Sequence, residues 1–259
     1  MDGTAPAPAS TYVRAPFRSF AGLTVSTALA LLLLFSILRV VLVLGANVTG
    51  SYQFVSLVFV AMAVLPWVLL SRSGRLRIGV QAPRRWWLVL ASLLAGALAC
   101  LLVAGVFGAL WGQSIANAFV YVAGSYGALP SPLADSDRLI FFLVFAAIAA
   151  IFSPIGEELF YRGVVHEGLA TRMGHGRASL VDAAAFALVH LAHFGVVFVA
   201  GAWALLPLPA LVWVISMFAV SLLFRASRVI TGSIVGAIAA HAGFNVAMTA
   251  VIFFVLDVL

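Results

Sequence analysis

Seven apolar runs account for most of this chain, and nearly all are long enough to cross the hydrocarbon core of a bilayer as a helix. They lie at 20–44, 52–70, 86–111, 139–165, 180–193 with an extension, 208–224 and 230–256. A crossing helix needs about 20 predominantly apolar residues. Backbone N–H and C=O groups in lipid must be satisfied within the chain, so only helices and closed barrels span membranes, and runs of this length select helices. The expected fold is all-α: a polytopic transmembrane helical bundle of about seven spans.

Charge places these spans. Only 8% of residues are charged, against about a quarter in an ordinary soluble domain. All fourteen basic residues are arginine, and the net charge of +6 does not point to nucleic acid, because the arginines sit in short loops between apolar runs. Arg72, Arg75, Arg77, Arg84 and Arg85 crowd the loop 71–85, which the positive-inside rule makes cytoplasmic. The loop 112–137 ends in Asp135 and Asp137 and is expected to face outward. Residues 1–19 form an expected cytoplasmic tail, and the first run is too long for a signal-peptide core, so it reads as a retained signal-anchor helix. The stretch 194–209 decides the count. As an extension of the preceding helix, or a re-entrant piece, it keeps Arg225 and Arg228 inside with Arg172 and Arg177 and gives seven spans. As a separate span it gives eight. Seven is the preferred reading, with Asp257 at the outer end of the last span. The expected organisation is thus a tail (1–19), three spans and an outward loop (20–138), and a core (139–259), in a multi-pass protein of the cell membrane.

Against this background, ionisable groups inside the runs are costly and mark function by default. Glu157, Glu158 and Arg162 fall within one run. On a helix Glu158 and Arg162 share a face as an i,i+4 pair, which leaves Glu157 without a partner, pointing about 100° away. Pro154 and Gly156 just upstream can loosen the helix. A second run carries Phe186 and His190, with His193 one turn on, and the last run carries His241 and Asn245 on one face. His190 and His241 lie at similar depth, roughly 16 Å along their helices from the inner side. A carboxylate and an imidazole can activate water, and further donors can stabilise an oxyanion, which is the set needed to hydrolyse an amide.

Other features carry bland readings. His166-Glu167 begins like a zincin helix, lacks the second histidine and is expected in a solvated loop. Asp182 reads as a cap or surface residue, and Gly174-His175-Gly176 lacks the context of a nucleotide loop. Asn47-Val48-Thr49 is a sequon on an outward loop. The single cysteine, Cys100, excludes an internal disulfide and multi-cysteine metal sites. Gly232, Gly236, Ala240 and Gly243 supply the small residues that let membrane helices approach closely.

The three polar elements, in this order over roughly 141–250, resemble the CPBP family of CAAX-processing and bacteriocin-processing intramembrane proteases. The family pattern is a diglutamate followed by arginine, then F-x-x-x-H, then H-x-x-x-N. Here these are Glu157, Glu158 and Arg162; Phe186 and His190; His241 and Asn245. The resemblance implies that Glu157 and His190 activate water, His241 and Asn245 hold the oxyanion, and Glu158 with Arg162 supports the site. It implies no cofactor, with zinc on Glu157, His190 and His241 as the alternative. The implied substrates are membrane-embedded or lipid-anchored peptides, including prenylated proteins cut before their last three residues. In bacteria, members are linked to peptide maturation and self-immunity. Two further readings stand beside an endopeptidase: a non-proteolytic immunity or scaffold protein, and a proton-coupled transporter.

Overall fold

The computed structural model describes residues 9–19, 21–126, 129–130 and 133–256; Asp257 lies outside them. It is a helical bundle. In chain order the helices are α1 (Val25–Thr49), α2 (Gln53–Leu69), α3 (Arg72–Arg77), α4 (Trp86–Trp111), α5 (Ala118–Ala123), α6 (Asp135–Glu157), α7 (His166–Val189), α8 (Pro207–Thr231) and α9 (Ile234–Phe254). A π-helical segment, Glu158–Val165, joins α6 to α7.

Five helices are long and apolar enough to cross a membrane, by length and composition. One of these is the continuous stretch Asp135–Ala192 of 58 residues, which folds back at Gly174. There φ is 75° and ψ 162°, a conformation glycine reaches without steric penalty. Gln53–Leu69 is a shorter apolar helix of 17 residues. Helix lengths alone therefore do not return the expected seven.

The outer surface is what lipid requires. Leu29, Leu33, Leu34 and Ile37 on α1, and Leu90, Leu94, Leu98 and Leu101 on α4, all point outward. Contiguous apolar surface on this scale would drive a water-soluble protein to associate. Helix α9 is the most buried of the long helices and packs against α4, α6 and α8. Its small residues explain the fit. A Cβ on Gly96 of α4 would run into the carbonyl of Ala240, and one on Gly243 into that of Leu93. Across the bundle, a Cβ on Gly156 of α6 would strike the Phe59 carbonyl of α2.

The arginine-rich segment 71–85 and the N-terminal tail share one end of the bundle. Arg14 N donates to Leu69 O at 2.9 Å and Ser71 N to Tyr12 O at 2.9 Å. The same segment ties to the α8–α9 turn through Arg84 N to Thr231 O, 2.8 Å, and Ile234 N to Gly79 O, 2.8 Å.

One element departs from the all-α expectation. Residues 194–206 neither extend α7 nor span; they form an antiparallel hairpin, β1 (Val196–Val199) and β2 (Ala202–Leu205). Gly195, at φ 112°, ends the helical path. Ala200 (φ 51°) and Gly201 (φ 80°) make the two-residue turn, the double positive φ that matches strand twist in a tight hairpin. The β-branched and aromatic Val196-Val197-Phe198-Val199 suits a pleated strand. Phe198 N donates to the Tyr121 hydroxyl at 2.9 Å, so the hairpin docks on α5.

Candidate active site

The site is built where α1, α6, α7 and α9 meet, and it is organised around two buried ion pairs. The first is local: Arg162 Nη1 lies 3.1 Å from Glu158 Oε1, both fully buried. The i,i+4 pairing holds although the backbone here is π-helical, the irregularity that functional helices favour. Arg162 Nη2 donates to Ser221 Oγ at 2.7 Å, and its guanidinium lies over the Phe186 ring at 4.2 Å and the Phe224 ring at 5.3 Å. Glu158 Oε1 also accepts from His241 Nδ1 at 2.8 Å. That bond places a proton on Nδ1. The His241 ring stacks on Phe224, 4.7 Å between centroids and 17° between planes.

The second pair corrects the expectation that Glu157 has no partner. Arg39, midway along α1, forms a salt bridge with Glu157 Oε1; the two are 2% and 0% exposed. Ser153 Oγ, one turn back on α6, donates to Glu157 Oε2 at 2.7 Å. Arg39 Nη2 also lies 3.2 Å from His190 Nε2 and 3.2 Å from His193 Nε2. His190 Nδ1 is 2.6 Å from the Phe186 carbonyl. A carbonyl only accepts, so Nδ1 carries the proton and Nε2 presents its lone pair to the guanidinium. Both bonds made by the ring therefore agree on one tautomer. Glu157 and His190, on different helices, converge on one cation.

His241 Nε2 completes the group, 3.7 Å from Glu157 Oε2 and 3.5 Å from Ser153 Oγ. Asn245 sits apart from the carboxylates: its Nδ2 donates to Ala149 O at 3.0 Å, tying α9 to α6. Phe186 explains its own place in the motif. Its ring lies 4.3 Å from the His190 ring and carries Arg162 on the other side of the site, so one side chain separates the two ion pairs.

A cavity of about 260 Å³ opens beside these groups, lined by Arg39, Ser153, His190, His193, His241 and Asn245 together with aromatic and methionine side chains. Val122, Ser125 and Tyr126 also line it. Within the segment 112–137, expected as an outward loop, Ala118–Ala123 fold as α5 and Gly124–Tyr126 as a following turn that wall the site.

The bland readings fare unevenly. His166 and Glu167 are buried, not in a solvated loop. His166 Nδ1 bonds Asp182 Oδ2 at 2.7 Å, so Asp182 is a fully buried partner and not a cap or surface residue. Glu167 pairs with Arg228 at 2.8 Å and Arg77 at 3.3 Å. The fold at Gly174 brings these residues together. The Asn47 amide is engaged as well, donating to Ala192 O at 2.9 Å and accepting from Tyr52 at 2.6 Å. Among the described residues, the one group whose ligand atoms close to within 4.8 Å is His166, Glu167 and His175. The zinc alternative, Glu157, His190 and His241, is not among such groups, and two of its members, Glu157 and His190, contact the Arg39 guanidinium.

Arg39, Ser153 and His193 escape a reading by motif. Arg39 carries a usable signal, since an arginine in the middle of an apolar run is as costly as a glutamate there. Ser153 stands at i−4 from Glu157 on the same helix, and His193 one turn beyond His190.

Residues 139–247 match the family model described as Type II CAAX prenyl endopeptidase Rce1-like, which bears out the resemblance carried by the three motifs. No curated protein and no solved structure matches the chain.

Proposed function

We infer that this chain, whose residues 139–247 belong to the CAAX-protease family, is an intramembrane endopeptidase. It hydrolyses a peptide bond of a membrane-embedded or lipid-anchored substrate by water activated between Glu157 and His190. The observation that carries the reading is the convergence of these two residues on Arg39 at the edge of an internal cavity. Seven crossings fit: the five long helices, with the stretch at 135–192 counted twice because it folds back at Gly174, and α2. The tail and the arginine-rich segment share the cytoplasmic side.

Water adds to the scissile carbonyl carbon while its proton passes to the Glu157 carboxylate or to His190 Nε2. The carbonyl π pair moves onto oxygen. Collapse of the adduct breaks the C–N bond, and the held proton goes to the leaving nitrogen, giving a carboxylic acid and an amine, which then share the acid's proton as carboxylate and ammonium. A positioned acid–base pair of this kind contributes about 10²–10⁴-fold. His241, held by Glu158, and Asn245 border the reacting volume. The proposed chemistry uses no metal: Glu157 and His190 already share a permanent cation, and a guanidinium opposes a second positive charge at the same place.

Purified protein with a quenched lipidated peptide tests this reading, wild type beside Glu157→Gln and His190→Ala. Cleavage should fall by about 10³-fold or more in either variant and persist in a strong chelator. Ion-coupled flux without cleavage would instead favour a transporter, and loss of activity on chelation would restore the metal.

A further inference from the structure

Amide hydrolysis deposits a negative charge on the carbonyl oxygen, and donors already aimed at that charge are usually the largest catalytic contribution. The donors bordering the cavity are few. His241 has its Nδ1–H on Glu158. Asn245 has one amide N–H on Ala149 O. The Ser153 hydroxyl donates to Glu157, and the His190 N–H to Phe186 O. Arg39 is the permanent cation beside these. It lines the cavity, it is 2% exposed, and of its five N–H groups three meet Glu157, His190 and His193. Its Nε–H is buried with no acceptor. A buried donor without an acceptor is costly unless something takes the bond. Among the cavity-lining residues it is also the one arginine.

We propose that Arg39 is the electrophilic residue of this site: its guanidinium accepts the developing oxyanion of the scissile carbonyl while keeping Glu157 and His190 in register. The assignment rests on the endopeptidase reading and extends it to a helix outside the matched segment 139–247. In the addition step above, the electron pair leaving the carbonyl π bond ends on an oxygen facing Arg39, and returns from it when the C–N bond breaks. The guanidinium neither gains nor loses a proton, consistent with its high proton affinity. The arrangement gains because the proton taken from water leaves one net charge fewer on the acid side, just as a new anion forms on the substrate.

The test compares two uncleavable peptides of the same sequence on wild type, Arg39→Gln and Arg39→Lys, with chelator present. One carries an N-methyl amide and mimics the ground state; the other carries a phosphinate, whose tetrahedral anion mimics the adduct. Arg39→Gln should lose about 10²–10³-fold in kcat and in phosphinate affinity, and keep N-methyl peptide affinity within about threefold of wild type. Arg39→Lys retains the charge without the planar fork, so it should fold and recover part of both losses. Equal loss of both ligands would make Arg39 structural. Cleavage by Arg39→Gln at the wild-type rate would overturn the assignment outright. If Arg39→Gln does not fold, Arg39→Lys decides: unchanged phosphinate affinity and kcat refute the proposal. A wild type that cleaves nothing and binds neither peptide defeats the endopeptidase reading itself, whereas a wild type silenced by Glu157→Gln but indifferent to Arg39 defeats only this inference.

Discussion

Replacing Gly96 with alanine should move His241 without altering any side chain of the site. Gly96 lies on α4 against the backbone of Ala240, the residue before His241, and an added Cβ would fall far inside van der Waals contact with the Ala240 carbonyl oxygen. Carbon and oxygen normally approach no closer than about 3.3 Å, so α4 and α9 must part by on the order of 1 Å. Overpacking of this kind costs about 1–3 kcal/mol. The same shift carries His241 away from Glu158, to which it is bonded at 2.8 Å, and a displacement of about 1 Å at a reacting group can cost about 10²-fold in rate. Gly105, on the same helix, supplies the control: a Cβ added there would meet nothing within 4 Å. At that position alanine should stabilise the helix by about 0.5–1 kcal/mol. The two substitutions should therefore differ by about 1.5–4 kcal/mol in unfolding titrations with sodium dodecyl sulfate in mixed micelles, with activity lost only in Gly96→Ala. Matching stabilities and activities for the two variants would refute the claim that this helix contact positions the site.

Three further outcomes follow from the buried charges and the hairpin. Arg162→Met leaves Glu158 as a buried anion without its cation and should destabilise by about 3–5 kcal/mol; adding Glu158→Gln should return a good part of that in the same titration. Asp182→Asn keeps the shape but removes the carboxylate facing His166, and should cost about 1–3 kcal/mol in thermal unfolding while kcat stays near wild type. Ala200→Gly should relieve a left-handed alanine worth about 1–2 kcal/mol and slow proteolysis at the hairpin, whereas Gly201→Val should accelerate it.

The bundle and the meeting of Glu157, His190 and His241 are legible in the sequence because charge in lipid is expensive, so an ionisable residue inside an apolar run announces a partner. The same logic applies to Arg39, but its partner lies 118 positions away and no local spacing links the two. The Glu158–Arg162 pair, by contrast, is written in an i,i+4 interval. The buried His166–Asp182 pair is invisible for a related reason: it exists only because Gly174 turns the chain back on itself, and Gly174-His175-Gly176 carries no periodicity to show that. The hairpin escapes a sequence reading because apolar residues in a membrane chain default to helix. Its signals, a β-branched run and a glycine after Ala200, are present and are ordinary hairpin chemistry. Asn245 lines the same cavity as His241, and its contact is equally non-local. Its spacing from His241 gives the shared face, and the bond of one amide N–H to the Ala149 carbonyl on α6 is not written in any local interval.

The two ion pairs differ in when they can form, and that difference bears on how the protein assembles. Glu158 and Arg162 meet as soon as their helix forms. Glu157 meets Arg39 only once α1 has docked, so a segment beginning after α1 would bury Glu157 beside Glu158 with one cation between them. Breaking a buried pair on one side costs about 3–5 kcal/mol, a large share of the roughly 5–15 kcal/mol that holds a typical domain folded. Residues 139–259 expressed alone should therefore be degraded or inactive, although they contain every motif residue. Co-expression of residues 1–138 should restore both accumulation and cleavage, and the same fragment carrying Arg39→Gln should restore neither fully. Active, stably folded 139–259 without the first fragment would show that Glu157 finds its counter-charge elsewhere, and would remove α1 from the site.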